Sequence, residues 1–201
     1  MKNRLILGIA AMLPLSACLG LGGQKPPSTL FTLATPSPAE LPSRSAKPGA
    51  AVTVVVPTVP AALQTLRIPV RINATEYAYV KHAQWVEAPN SLFQRLVADT
   101  ITAKTQLVVL DPRQTTHDPG HRLTGQLLDF GVDASSASSP VAKVRYDATV
   151  TLADGSGIAT RRFEATRPTD SHNPRSITHD LNDAAAEVAD QVADWLAATS
   201  H

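Results

Sequence analysis

The sequence contains a single cysteine, Cys18, among 201 residues, so no disulfide can form within the chain. Aromatic residues make up only 4% of the chain, which leaves the core to small aliphatic side chains. The formal net charge is +1 and no basic run stands out. These features argue against nucleic acid as a partner, because nucleic-acid binding needs a clustered positive surface.

Catalytic signatures are also missing. The chain has no Gly-x-Ser-x-Gly hydrolase motif, phosphate loop or dinucleotide-binding fingerprint. The glycine and serine residues at 155–157 are better explained by a hairpin turn. We therefore expect a protein that is not an enzyme and that carries no cofactor apart from covalently attached lipid.

The histidines do not form a convincing metal site. His117 and His121 lie four residues apart with Asp118 between them, a spacing that could hold a metal on a helix. Pro119 and Gly120 instead predict a loop, so we interpret this stretch as a solvated loop without metal.

The N-terminus, in contrast, has a clear pattern. Lys2 and Arg4 precede an apolar run at residues 5–15, and small residues lead into Cys18. This order is typical of a secretory signal peptide, and the run is shorter than the roughly 20 residues that a membrane-spanning helix needs. We predict cleavage between Ala17 and Cys18.

Residues 15–18, Leu-Ser-Ala-Cys, resemble the lipobox of bacterial lipoproteins. The resemblance implies a diacylglycerol on the Cys18 thiol and an acylated amine, with palmitate as the expected acyl group. Leu19 stands where an inner-membrane lipoprotein has Asp, which implies the periplasmic face of the outer membrane in a host with two membranes. The alternative is an ordinary signal peptide with an unmodified cysteine at its cleavage site.

The predicted organisation is a signal peptide at residues 1–17, a lipidated tether at 18–28 and one domain at 29–201. The ten residues after Cys18 are rich in glycine and proline and span at most roughly 30–35 Å. The domain should therefore stay close to the membrane that holds its lipid.

Hydrophobic patterning within the domain predicts eight strands. They cover residues 29–33, 51–56, 70–72, 77–86, 106–110, 122–132, 144–152 and 158–166. The clearest alternation is at 144–152. The 122–132 strand changes phase, and a β-bulge near Leu127 would reconcile its halves.

Two amphipathic helices complete the pattern. The first begins near Asn90 or Ser91, either of which could cap it, and ends near Lys104. The second covers residues 176–198. Its apolar stripe contains Leu181, Ala184, Ala185, Val188, Val192, Trp195 and Leu196. The fold class is α/β or α+β, a mixed and largely antiparallel sheet packed with two main helices in a single domain.

Tyr77, Tyr79 and Trp85 form an aromatic cluster in a chain that has few aromatic residues. Such residues could face a partner or a lipid, because interfaces are enriched in them. The alternative interpretation is that they pack the first helix onto the sheet.

Several short patterns occur in an order similar to one known family. They are Phe31-Thr32-Leu33, Val54-Val55-Val56-Pro57, the 79–85 segment with Pro89, Leu123-x-Gly125 through Asp129-Phe130, and Ala148-x-Val150-x-Leu152-x-Asp154-Gly155. Together with the lipobox, they resemble the ABC-type transport auxiliary lipoprotein family. The chain departs from the family pattern at residues 63–66, where relatives tend to have Leu-Asp-Arg.

The resemblance implies a non-enzymatic lipoprotein that accompanies an MCE-domain protein of an ABC lipid transport system and supports membrane integrity. Homo-oligomerisation is left open. A structural or assembly lipoprotein of the envelope, unrelated to lipid transport, is the alternative. The two differ in whether neighbouring genes encode an MCE protein, a permease and an ATPase.

Overall fold

The structure is a computed structural model that describes residues 29–35, 45–47, 49–111, 120–136, 139–170 and 172–199. The predicted signal peptide, Cys18, the tether, His117 and Asp118 lie outside these residues. Within the described part of the chain, no helix is both long enough and apolar enough to cross a membrane.

Among the described residues, eight strands and two helices make up the domain, as the sequence predicts. The strands are β1 (Thr29–Phe31), β2 (Ala51–Val54), β3 (Arg67–Arg71), β4 (Tyr77–Trp85), β5 (Val108–Leu110), β6 (His121–Asp133), β7 (Val141–Thr151) and β8 (Ile158–Pro168). The helices are α1 (Pro89–Lys104) and α2 (Pro174–Thr199), and a 3-10 turn covers Ala61–Leu63.

The strands form one open, mixed sheet around β6. On one side of β6, β7 and then β8 add antiparallel. On the other side, β6 pairs in parallel with β2 near its start and with β3 near its end. The sheet therefore forks: β5 extends the β2 branch, whereas β4 and β1 extend the β3 branch. The long pairings are antiparallel and the short ones are mostly parallel, which confirms the predicted fold class.

The predicted bulge lies in β6. Its register against β7 shifts between Leu127 and Asp129. Because of this shift, Leu123 and Leu127 before the bulge and Phe130 after it all point into the core. A regular strand would have turned one half of β6 towards solvent.

Both helices cover the same face of the sheet. The helix α2 packs on β7 and β8, and α1 packs on α2 and on the β2–β5 branch. Every member of the predicted α2 stripe is buried except Trp195, which is half-buried against Phe163 at 5.6 Å between ring centroids. The opposite face of the sheet has no helix over it among the described residues.

The outer strand β8 pairs only with β7 among the described residues. Several of its exposed side chains are charged: Arg161, Arg162 and Glu164 lie along the edge, and Arg167 forms an ion pair with Glu187 on α2. Charged side chains of this kind discourage another strand from pairing with an open edge.

The predicted cap of α1 is wrong. The helix begins at Pro89, and the residue at the cap position is Ala88, whose side chain cannot accept from the first amides. Proline suits the first helical position because its missing N–H would have had no partner there. The Asn90 amide instead donates to the Pro57 carbonyl at 3.2 Å, which ties α1 to the β2 branch.

The interpretation of His121 as part of a solvated loop is also wrong. His121 begins β6 and is buried. Its Nδ1 accepts a hydrogen bond from the Ala153 N–H at 3.2 Å, and its Nε2 lies 2.8 Å from the Gly49 carbonyl oxygen. Since a carbonyl only accepts, Nε2 carries the proton. The ring therefore joins two separate turns at the start of β6.

We expect His121→Ala to lower the free energy of unfolding by about 2 kcal/mol, because it leaves two backbone polar groups without their partner. Urea denaturation followed by circular dichroism measures this difference. His179→Ala, which changes a largely exposed histidine on α2, is the control and should be neutral. Equal unfolding curves for wild type and His121→Ala would contradict the assigned role.

A candidate docking face on the helix-free side of the sheet

Cross-strand ion pairs cover the helix-free face of the sheet. Opposite charges face one another directly at Arg145 and Asp129, 2.7 Å apart. Arg162 binds both carboxylate oxygens of Asp147, each at 2.6 Å. Such pairs between neighbouring strands stabilise a sheet face that remains in contact with water.

The β3–β4 part of this face is different, because it presents aromatic rings. Tyr77 and Tyr79 lie on it opposite Arg71 and Pro69 of β3. The Arg67 guanidinium stacks over the Tyr79 ring, 4.1 Å from its centroid, and forms no ion pair with a described carboxylate. We call Arg67, Tyr77 and Tyr79 the tyrosine face.

The third predicted partner-facing residue, Trp85, does not belong to this face. It is 0% exposed and packs against Phe130 within the core, with 5.4 Å between the two ring centroids. The phase of β4 changes at His82, which has a positive φ of 58°, so that Ala83 and Trp85 point towards the helices. Trp85 therefore lies in the core and does not face a partner, whereas Tyr77 is 48% exposed.

A groove of about 300 Å³ lies beside the tyrosine face. On the side of the β2 branch, the groove is lined by the turn that contains Leu63. Part of the 63–66 segment, where the sequence departs from the family pattern, therefore lies at the site. Its lining consists of Pro60, Ala61, Ala62, Leu63, Pro69, Arg71, Tyr77, Leu128, Asp129, Phe130, Gly131, Val132, Asp133 and Lys143. Sequence analysis identified Tyr77 alone among these residues as a candidate for contact with a partner.

The groove exists because the sheet forks at this point. Thr58 bonds to the backbone of β6 at Gly125 and Leu127, and the chain then leaves β6 at Pro60. The β3 branch rejoins β6 only at Val132. The prolines beside the gap lack the N–H that a continuous ladder would need. A stretch of β6 thus remains between the branches and forms the floor of the groove.

The charges around the groove are already paired. Arg71 forms an ion pair with Asp133 across β3 and β6, and Lys143 lies 2.9 Å from Glu164. Partial burial raises the pKa of Asp133, but hydrogen bonds from Arg71 and Ser135 outweigh it and lower the pKa to about 2. The groove therefore combines apolar walls with a neutralised rim.

Among the described residues that line the groove there is no serine, cysteine or histidine. Across the residues that the structure describes, no group of three or more His, Cys, Asp or Glu side chains could hold a metal ion. What the face offers chemically is contact: an arginine held over a ring, an exposed tyrosine and an apolar slot. Aromatic residues and arginine are the types that dominate binding energy at protein interfaces.

Comparison with protein families gives a match over residues 31–193 to the model of the ABC-type transport auxiliary lipoprotein component. This match covers nearly all of the folded domain. The chain belongs to this family. The family description indicates a lipoprotein that is an auxiliary component of an ABC-type transport system.

Solved structures share the fold. A DUF330 protein from Xanthomonas campestris superimposes with a TM-score of 0.69 at 20% identity, over 85% of this chain and 96% of the other. A protein described only as uncharacterized gives a TM-score of 0.65 at 11% identity, over 83% of this chain and 97% of the other. At these identities the likeness concerns the fold alone. No curated protein matches the chain.

The contrast between Tyr77 and Trp85 is testable. We expect Trp85→Ala to lower the free energy of unfolding by about 3–5 kcal/mol, as truncation of a large buried ring does. Tyr77→Ala should change it by less than about 0.5 kcal/mol, because the ring is half-exposed at the surface. Chemical denaturation of both variants measures this, and similar losses would contradict the assignment of Tyr77 to an exposed face.

The Arg71–Asp133 pair gives a pH-dependent prediction. The pKa of Asp133 in the fold lies below its usual value of 3.8, so the carboxylate adds stability above that value and loses it as the pH falls towards 2. We expect Asp133→Asn to cost about 1–2 kcal/mol at neutral pH and clearly less near pH 2, where the carboxylate becomes protonated in the fold. Denaturation curves at both pH values measure this, and a difference that does not change with pH would exclude the ion pair as its cause.

Proposed function

We propose that this protein is a non-enzymatic auxiliary subunit of an MCE-type ABC lipid transport system. In this proposal it is anchored by lipid on Cys18 to the periplasmic face of the outer membrane, and it supports the integrity of the envelope. The observation that carries the proposal is the family match over residues 31–193 together with a lipobox-like sequence at residues 15–18, ten residues before the domain.

Lipid anchoring explains why an exported chain would keep one unpaired cysteine. A single acyl chain holds a protein to a bilayer only weakly, whereas two or more hold it stably. A triacylated Cys18 would thus remain in its leaflet. Leu19 after the cysteine favours transfer to the outer membrane over retention in the inner one.

The helix-free face of the sheet, which we call the docking face, gives the proposed subunit a surface for contact with its partner. It faces away from both helices, and its tyrosine face and groove combine a ring-stacked arginine with apolar surface. The ion pairs elsewhere on this face of the sheet would keep the surrounding surface hydrated. We assign to this face the contact with the MCE-domain protein.

The anchor can be tested separately from the fold. A Cys18→Ala protein with a conventional cleavable signal should be exported and folded but should fail to restore detergent resistance in a strain that lacks the gene. The reason is effective concentration: tethering keeps the domain near its docking partner, and release into the periplasm removes that advantage. The assay compares detergent sensitivity at matched protein levels.

Full rescue by the soluble form at native abundance would show that tethering is dispensable. Fractionation of the wild-type protein provides the second reading, since its recovery in the inner membrane would contradict the argument from Leu19.

The docking contact can be tested by co-purification with the MCE-domain protein that neighbouring genes are expected to encode. Arg67→Glu and Tyr79→Ser should each lower recovery of the partner, because they remove the stacked cation and its ring. Arg175→Glu, a charge reversal in the first turn of α2, is the matched control and should leave recovery unchanged.

Equal recovery with all three variants would place the contact elsewhere on the domain. The absence of MCE, permease and ATPase genes near this one would instead favour the alternative, an envelope assembly lipoprotein unrelated to lipid transport.

A further inference from the structure

The direction of β1 fixes the side from which the chain enters the domain. β1 runs parallel to β4, β4 runs antiparallel to β3, and β3 runs parallel to β6. The first residue of β1, Thr29, therefore lies at the end of β1 that is nearer to the β3–β4 connection. We call this side the hairpin end, defined by residues 72–76 and the last residues of β6 and β8.

The hairpin end is a single surface formed by several connections. The Ala134 N–H donates to the Arg71 carbonyl at 2.9 Å, and the Thr169 N–H donates to the Pro140 carbonyl at 3.1 Å. These bonds join the segments that follow β6 and β8 to β3 and to the start of β7. The opposite surface, which we call the turn end, holds the β7–β8 turn at residues 152–157 and the start of β6.

Strand register shows how far Thr29 lies from each end. Thr29 pairs with Ala83, next to Gln84, which pairs with Arg67 at the start of the five-residue strand β3. Along the strand direction, at ~3.3 Å per residue, Thr29 lies about 15 Å from the level of Asp133 at the end of β6 and about 25 Å from the level of its start. The ten residues after Cys18 reach at most about 35 Å, so contact between the turn end and the lipid would require them to reverse direction and use most of that length.

The chemistry of the hairpin end suits a lipid surface. Ile72 is 37% exposed, Ala74 is exposed beside it, and the ring of Tyr77 lies at the start of β4. The polar groups of the connection are satisfied locally: the Asn73 amide donates to Glu76 at 3.0 Å, and the Thr75 N–H donates to Asn73 at 2.9 Å. Tyrosine is favoured at the level of lipid headgroups, where one end of the ring is apolar and the other is hydrated.

We infer that the hairpin end of the domain contacts the leaflet that holds the Cys18 lipid, with Ile72 and Tyr77 at the level of the lipid headgroups. This inference rests on the proposed lipid anchor and adds the orientation of the domain to it. The strands then run roughly along the membrane normal, so the docking face is turned sideways. The tyrosine face lies near the leaflet, and the turn end projects into the periplasm.

The test uses the full acylated lipoprotein, purified from cells and reconstituted in vesicles of phosphatidylcholine and phosphatidylethanolamine. Because Cys18 would be blocked by lipid, a cysteine introduced by Ala74→Cys or by Ser156→Cys is the sole thiol available for a fluorescent label. Position 74 lies at the hairpin end and position 156 at the turn end. Lipids that carry a quencher near the headgroup should remove most of the fluorescence at 74 and none at 156.

Two matched substitutions test whether insertion of the 72–76 connection causes the quenching. Adding Ile72→Asp to the Ala74→Cys chain should reduce quenching, because the aspartate opposes insertion of the connection. Adding Ile158→Asp, which changes a 71% exposed isoleucine at the turn end, should leave quenching at position 74 unchanged.

Each outcome bears on a different statement. Equal quenching at both positions, or stronger quenching at 156, would overturn the orientation while the anchor stands. Mass measurement of the purified chain separates the two ideas, since a chain without acyl groups would contradict the lipid anchor itself and the orientation with it.

Discussion

The structure depends on β6, which is the strand shared by all parts of the sheet. It pairs along its whole length with β7 and on its other side with two different branches. The bulge between Leu127 and Asp129 allows both halves of this strand to point apolar side chains into one core. If β6 kept a regular register, half of its apolar residues would face water, and the helices could not cover both halves of the sheet.

The fork also produces the docking face. The β2 branch leaves β6 at a proline and the β3 branch joins it later, so the groove lies between the turn at residues 60–63 and β3, above a stretch of β6 that is distant from both in sequence. The ion pairs across β3, β6, β7 and β8 keep the remaining surface hydrated. The same constraint that builds the core thus leaves a recess on the face that has no helix over it.

Much of this fold was predictable from local patterns, because alternation and helical spacing are local properties. The alternation in β7 and the phase change in β6 identified a strand and a bulge that the structure confirms.

Trp85 was harder to place, since nothing at His82 indicates the positive φ that changes the phase of β4. The cap of α1 was predicted wrongly because the Asn90 amide bonds to Pro57, a partner 33 residues away in the chain. Similarly, His121 follows a loop-like sequence, and only the fold shows that its ring joins two turns. The groove is lined by residues from five elements, the 60–63 turn, β3, β4, β6 and β7, so only Tyr77 could be identified in advance.

The charged side chains along the edge of β8 matter more for a protein that is confined to a membrane surface. Proteins held on a leaflet meet repeatedly in similar orientations, and parallel alignment of open strand edges is the arrangement that favours growth of one sheet into the next. Arg161, Arg162 and Glu164 place side chains along this edge that would have to lose water for such growth to occur. A chain that is crowded on a surface can therefore present an eleven-residue edge strand and still remain separate from its neighbours through that edge.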